Sequence, residues 1–315
     1  MKKNAQIANF NVVFGDEEKP MLDYFDTIIY PAFNSDITKK SDDNEFMFKN
    51  IEIASTKDVY VLTGKIVKKT ELEIKTDLNE KGELVEKDEK YSTAPYSSFA
   101  INLMNHRMIF MPNQKGSPTL ANFRRMVAYV FLHYIKQENK KEENIKKYDE
   151  AIVNIVGIPG AMSMDELLDK IEKINTLTLR FYPLNGDMDY SEAFGILATE
   201  VRNEVGCKNG DVVYKSPKSI SGIKNVLKKA AGTINPIIKG ITKNNGKITL
   251  KDYELSEKYE IEIDDDATFE DESRILVNSM DKIETLQFSS EKHNEIYDRN
   301  KEKIVSFIER KGDLY

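Results

Sequence analysis

With 315 residues, of which 40% are hydrophobic and 31% charged, the chain has the composition of a folded globular protein rather than a disordered one. Its formal net charge is −7, and its single cysteine, Cys207, excludes disulfides within the chain and cysteine-based metal centres. The sequence contains no signal-peptide core and no apolar run of roughly 18 residues, so we expect a cytoplasmic protein with no membrane insertion.

The first part of the chain predicts an antiparallel, strand-rich domain. A short helix is expected over residues 20–33, ending before Pro31, because proline disfavours helix in the residue that precedes it. The alternating run 70–90 predicts a solvated hairpin that turns at the NEKG sequence. Further strands are indicated by β-branched and aromatic residues at 45–55, 58–69, 97–103 and 106–112.

A long helix is predicted to close this domain. Ser117 as N-cap and Pro118 at the first position are a preferred helix entry, and an apolar stripe continues from Leu120. The charged run 136–150 resembles a flexible connector. We therefore place a first domain at 1–140.

Strands and helices then alternate at short intervals. This pattern predicts an α/β sandwich domain over 150–266, for which a ferredoxin-like arrangement is one candidate. A capping box formed by Ser163 and Glu166 is expected to begin its first helix. Residues 267–315 are predicted to be helical. The expected fold class is α+β.

An acid-free basic segment, residues 216–251, is the main functional clue. It holds eight lysines in an acidic chain. Its predicted helix buries one apolar arc and presents three lysines on its remaining surface. Because like charges four residues apart destabilise a helix, an anion bound next to them is expected. The bland alternative is a solvated face produced by lysine-biased codons. The candidate phosphate contacts of this segment are Lys218, Lys224, Lys228, Lys229, Lys239, Lys243 and Lys247.

An acidic strip, residues 252–272, follows directly with eleven acids and one lysine. Two interpretations stay open: the acids pair with the lysines across a hairpin, or they mask the basic face until a stronger polyanion displaces them. The basic segment has no aromatic residue between Tyr214 and Tyr253. Single-strand binders need stacking platforms, so the pattern favours contact with duplex phosphates.

A second, weaker basic cluster precedes and enters the long helix. Lys115 lies just before the predicted helix N-terminus, where free amides attract anions, and Arg124 and Arg125 lie on the helix itself. Strand–turn–helix entries of this kind are also common packing devices. The cluster is therefore a secondary candidate for phosphate contact.

A catalytic interpretation competes with simple binding. Glu73 and Lys75 form an E-x-K pattern on a strand, with Asp58 on the strand before it, which is similar to the magnesium-binding core of restriction-like nucleases. An alternating, solvated strand explains the same letters. No nucleotide-cradling glycine motif or metal-ligand spacing is present, so the sequence predicts no catalytic residue, no metal and no cofactor.

The last third of the chain resembles RexA-like phage exclusion proteins. The likeness is carried by INPIIKGITKNNGKITLKDYELSEKYEIEIDD, above all by G-K-I-T and by Y-E-L-S-E-K at Tyr253 to Lys258. The stretch SSFAINLMNHRMIFMPNQKGSPTLANF resembles the same family in pattern only. The resemblance implies a cytoplasmic homodimer that binds DNA with little sequence preference and acts, with a possible partner protein, in abortive defence against phage.

The leading hypothesis is thus a non-enzymatic protein that holds double-stranded DNA through lysine–phosphate contacts. A magnesium-dependent nuclease is the first alternative. A protein-interaction module that docks an acidic partner is the second.

Overall fold

A computed structural model of the chain describes residues 1–57, 59–142, 147–185 and 200–312. The fold is α+β, as predicted, with two separate antiparallel sheets. The strands are β1 Lys2–Phe14, β2 Lys19–Pro20, β3 Lys39–Ser41, β4 Asn44–Thr56, β5 Val59–Leu78, β6 Leu84–Thr93, β7 Tyr96–Asn102, β8 Arg107–Pro112, β9 Ala151–Gly157, β10 Ile171–Phe181, β11 Gly210–Lys215, β12 Asn235–Thr242, β13 Lys247–Lys251 and β14 Lys258–Glu262.

The larger sheet has the strand order β14-β1-β8-β7-β5-β4-β3, with β2 and β9 also paired to β1 and β6 paired to β5. The long strand β1 changes partners along its length: its first residues pair with β14 and β8, and its last seven pair with β9. Two strands from the predicted middle domain, β9 and β14, therefore lie in the larger sheet.

The α-helices of the described residues cover both sheets. They are α1 Tyr30–Phe33, α2 Leu120–Lys140, α3 Ala161–Leu168, α4 Arg202–Glu204, α5 Ile220–Ala230, α6 Asp252–Leu255, α7 Phe269–Met280 and α8 Glu291–Gly312. On one face of the larger sheet, α2 and α8 pack over an aromatic core that includes Phe33, Phe99 and Phe123. On the other face α7 packs through Leu276 and Met280. None of these helices is long and apolar enough to cross a membrane.

Three helix boundaries differ from the predictions. Pro31 does not end a helix: a 3-10 turn and a π-turn precede it, and it lies in the first turn of α1, where its missing N–H costs nothing. The long helix begins two residues later than expected, since Thr119 and Asn122 form its capping box. The Ser163 capping box is also wrong, because α3 has already begun at Ala161 and the buried Ser163 hydroxyl donates to the Ser256 carbonyl.

The smaller sheet has the order β11-β10-β12-β13, and α3 and α5 cover one of its faces. A ferredoxin-like arrangement requires the strand before α3 to lie in this same sheet. That strand is β9, which pairs with β1 instead, so the ferredoxin-like candidate is wrong. The predicted two-layer α/β sandwich itself is present.

The two sheets are joined by buried polar contacts. The carboxylate of Asp252 accepts a hydrogen bond from the Gly157 amide of β9 at 3.0 Å and forms an ion pair with Arg124 of α2. Arg107, at the start of β8, donates from Nη1 to the Ala231 carbonyl at the end of α5 at 2.5 Å. Each contact ties the smaller sheet and its helices to the larger one.

Candidate nucleic-acid interface

The face of the smaller sheet opposite α3 and α5, here called the outer face, carries exposed lysines from all four strands. Side chains alternate between the faces of a strand. In β12 the alternation places Ile238 in the core and Lys239 outside, and in β13 it places Leu250 in the core and Lys247 outside. The same local pattern that builds the core therefore builds a basic surface.

Strand register arranges the outer face in rows. In the first row Thr176 lies directly between Lys215 and Lys239, and Lys239 is followed by Thr249. Neighbouring strands lie about 4.8 Å apart, so the Cα atoms of Lys215 and Lys239 are separated by about 10 Å. The adjacent rows read Lys173, Ile241 and Lys247 on one side and Val213, Thr178, Ile237 and Lys251 on the other.

The next row begins with Asp211 opposite Arg180, and this acid is already paired. Arg180 holds it with two hydrogen bonds, Nε to Oδ1 at 2.7 Å and Nη2 to Oδ2 at 2.8 Å. The Arg180 guanidinium lowers the pKa of the Asp211 carboxyl and gains a raised pKa itself. The pair is neutral. The exposed Glu172, at the β-bulge next to Lys173, offsets one further charge, so the five lysines leave a net positive charge on the outer face.

The predicted contacts of the basic segment, apart from Lys224, divide among four places. Lys239 and Lys247 lie on the outer face, whereas the exposed Lys228 and Lys229 lie on the back of α5, on the other side of the sandwich. Lys218 lies in the exposed loop before α5, and Lys243 lies in the turn between β12 and β13. The segment therefore does not form one continuous patch.

Lys224 is the one lysine of the basic segment that forms an ion pair within the described residues. Its ammonium group lies 2.7 Å from Asp165 and 3.5 Å from Asp169, both at the end of α3. The hydrogen bond to Asp165 raises the Lys224 pKa. The side chain is only a quarter exposed. These contacts remove Lys224 from the set of free cations.

Among the described residues, no carboxylate of the acidic strip forms an ion pair with a lysine side chain of the basic segment, although the Lys251 amide donates to Glu254 at 2.9 Å. Over the described residues its carboxylates contact cations elsewhere: Glu260 contacts Lys2 at 3.0 Å, Asp252 contacts Arg124, and Glu272 contacts Lys65 at 3.4 Å. Neither hairpin pairing nor masking of the lysines is observed. The strip instead fastens β14 and α7 to the larger sheet.

The second basic cluster is split in the same way. Arg124 is engaged by the buried Asp252, so its guanidinium is occupied within the chain. Lys115 is exposed in the turn before α2, and Arg125 is exposed on α2 with its Nε donating to the Ala121 carbonyl. Two cations are left, far fewer than on the outer face.

Two residues of the nuclease alternative, Glu73 and Lys75, lie on an exposed two-stranded ribbon formed by the end of β5 and by β6. Glu73 accepts hydrogen bonds from Lys90 at 2.9 Å and from Lys75 at 3.0 Å, which lowers the Glu73 pKa to about 2. Asp58 lies outside the described residues. Within them, no group of three or more His, Cys, Asp or Glu side chains is placed to hold a metal ion.

Lys251 belongs to the basic segment but was not among the predicted phosphate contacts, and two further lysines of the outer face were missed altogether. Lys173 and Lys215 fall outside the acid-free segment, yet strand register sets them beside Ile241 and Thr176. Alternation in the strands TLTLRF and DVVYK was the available signal, because it assigns each of them a polar face. No protein-family model matches the chain, and no curated protein matches it. The likeness to RexA-like proteins therefore stays an expectation from sequence.

Proposed function

We propose that this protein binds duplex nucleic acid without sequence preference, through contacts between the lysines of the outer face and backbone phosphates. The observation that carries the proposal is a net positive sheet face. It holds five exposed lysines, Lys173, Lys215, Lys239, Lys247 and Lys251, while one of its acids, Asp211, is neutralised by Arg180. An acidic protein that keeps such a local field has a polyanion as its natural partner.

The chemistry of the surface favours backbone contact over base reading. Lysine offers a mobile point charge, whereas the planar arginine fork is the group that reads guanine edges. Arg180, the one arginine in the rows, is occupied by Asp211. The paired residues of the rows include no aromatic side chain, and the nearest ring, Tyr182, follows β10 and interacts with Arg180. A surface so poor in stacking rings favours a duplex over a single strand.

The biological setting is proposed from the sequence resemblance. RexA-like phage exclusion proteins are cytoplasmic dimers that bind DNA with little sequence preference, and the same context is proposed for this chain. Binding through phosphates suits a protein that must engage any invading genome. A homodimer would double the lysine surface available to one duplex and raise its avidity.

The test is fluorescence anisotropy with a random-sequence duplex and a charge-matched pair of variants. The triple variant Lys215→Glu, Lys239→Glu and Lys247→Glu reverses the outer face. The control Lys140→Glu, Lys282→Glu and Lys292→Glu makes the same change in net charge at exposed positions outside the smaller sheet.

We expect the outer-face variant to lose duplex binding and the control variant to keep most of it. Equal losses in the two variants would mean that net charge alone governs binding, and unchanged binding in the outer-face variant would remove the proposal. Nicking of plasmid with Mg²⁺ that stops in Glu73→Ala would support the nuclease alternative instead. Self-association without DNA binding at low salt would support the interaction module.

A further inference from the structure

A second basic site lies where the two sheets meet. A concave cleft of about 520 Å³ is bounded by the end of α5, by the start of β8 and by the turn after α7. Its walls include Arg107, Lys228, Lys229 and Phe288, and none of the described lining residues is acidic. Small-molecule sites are typically clefts of about 300–1,000 Å³, often at such junctions, so the cleft has a suitable size and place.

Arg107 forms the floor of the cleft and is rigidly placed. Its side chain is 2% exposed, and its hydrogen bond to the Ala231 carbonyl fixes the guanidinium at the end of α5. Next to it, the buried ring of His106 lies 5.2 Å from that of His293. Burial lowers the His106 pKa well below its usual value, so His106 is neutral at physiological pH and Arg107 supplies the charge here.

Lys228 and Lys229 add two exposed cations at the rim. They lie in the last turn of α5, whose dipole is equivalent to about −0.5 charge at that end. Two ammonium groups exceed this partial charge, so the field at the rim stays positive. Glu257 accepts the Thr285 hydroxyl at 2.9 Å beside the cleft and does not itself line it.

Phe288 gives the cleft an apolar, flat wall. Its side chain is 38% exposed, and its ring centroid lies 5.9 Å from the Arg107 guanidinium carbon. An exposed aromatic ring next to cations is the arrangement on which a nucleobase stacks while its phosphates meet the positive charges. On the outer face the lysine rows themselves contain no such ring. The two surfaces therefore suit different ligands.

We infer that the cleft binds a nucleotide, with the base stacked on Phe288 and the phosphates held by Lys228 and Lys229. The same chemistry has two sources: a free nucleotide, or the unpaired terminal nucleotide of a nucleic-acid strand. The inference does not depend on the proposed duplex binding, because none of these residues lies on the outer face.

The experiment is isothermal titration calorimetry of the full chain with ATP, ADP and pyrophosphate at low salt. We expect Lys228→Glu combined with Lys229→Glu to weaken ATP binding at least about tenfold, which corresponds to about 1.4 kcal/mol. The matched control Lys239→Glu combined with Lys247→Glu should leave ATP affinity unchanged. All four lysines are exposed, so both double variants are expected to fold.

The aromatic wall is tested separately. Phe288→Ala should weaken ATP at least about fivefold and leave the weaker pyrophosphate binding unchanged, because pyrophosphate has no base to stack. The exposed ribbon residue Tyr91 supplies the control Tyr91→Ala. A short single strand that binds through these residues while ATP does not would assign the cleft to a strand end.

Two results would overturn the inference. One is an unmodified chain that binds neither ATP, ADP nor the single strand at low salt. The other is nucleotide binding that survives both the rim variant and Phe288→Ala. Loss of duplex binding in Lys239→Glu with Lys247→Glu but retained ATP binding would show that the two sites are separate. Failure of the duplex proposal and failure of the cleft inference therefore give different results, because only the second removes ATP binding.

Discussion

The ribbon of β5 and β6 and the outer face of the smaller sheet are both exposed, antiparallel and rich in lysine. They differ in the side chains that lie next to those lysines. On the ribbon, Lys75 and Lys90 share Glu73, and Lys87 contacts Asp77 at 2.9 Å. On the outer face Lys215 and Lys239 have threonines as row neighbours. The lysines of the ribbon are thus neutralised by neighbouring acids, whereas Lys215 and Lys239 of the outer face are not.

The comparison indicates that the side chains next to each lysine, more than the number of lysines, decide whether a surface attracts a polyanion. Cross-strand pairs of opposite charge contribute a modest stabilisation to a sheet, and they also cancel its field. Threonine in the same positions stabilises the strand and leaves the field intact. Four measurements can test whether the partners of a lysine have this effect.

The largest effect is expected for a pair that is buried. Asp252 is 1% exposed and holds both Arg124 and the Gly157 amide. Replacing it by alanine leaves the buried Gly157 amide without its acceptor and the partly buried Arg124 without its counter-ion, which should lower the free energy of unfolding by about 3 kcal/mol. Urea denaturation measures this. The double variant Arg124→Met with Asp252→Leu should recover part of the loss, and no recovery would contradict a charge-based cause.

The second prediction concerns salt. The variant Lys215→Glu, Lys239→Glu and Lys247→Glu should weaken duplex binding about a hundredfold at about 50 mM salt and reduce the slope of log K against log salt by about 3, since each lost phosphate contact removes about 0.9. Titrations at several ionic strengths measure the slope. A slope equal to that of the unaltered chain would mean that these lysines do not meet phosphates.

The third prediction turns the outer face into a surface like the ribbon. Thr176→Glu with Thr249→Glu keeps every lysine but places a carboxylate beside Lys215 and Lys239. Duplex affinity should fall about tenfold, because each new acid pairs with a lysine and repels phosphate. The variant with glutamine at both positions is the control for size. If glutamine weakens binding as much as glutamate does, shape rather than charge is responsible.

The smallest effect is expected on the ribbon. The Glu73 pKa of about 2 lies below its usual value, so the contribution of Glu73 to stability is fully present above that usual value and is lost only as the pH falls through about 2. Glu73→Gln removes the shared partner of Lys75 and Lys90, so duplex affinity should rise slightly, by about twofold or less, at neutral pH. NMR titration of the carboxyl group checks the pKa, and a midpoint near 4.5 would contradict the paired geometry.

Much of the secondary structure could be predicted from local patterns. The turn at NEKG and the hairpin of β12 and β13 follow from alternation and turn residues, because both ends of each hairpin are close in sequence. The position of β9 could not be predicted in this way, since its partner β1 lies more than a hundred residues earlier. Alternation describes a strand's faces and says nothing about the sheet that it joins.

The site was predictable to the same extent. The outward direction of Lys239 and Lys247 follows from alternation, but the loss of Lys224 to Asp165 depends on how α3 packs against α5. The acidic strip was misread for the same reason: nearness in sequence suggested pairing with the lysines, whereas the sheet gives Glu260 and Glu272 partners near the N-terminus and on β5.

The smaller sheet and its covering helices carry lysines on two opposite surfaces, the outer face and the back of α5. A helix is about 10 Å across and layers are spaced by about 10 Å, so the back of α5 and the outer face are separated by roughly 20 Å and look in opposite directions. A ligand bound against Phe288 and Lys228 would neutralise the positive charge at the back of α5 and leave that of the outer face unchanged. Occupancy of a small cleft would then determine whether a single copy can tether two polyanions or only one.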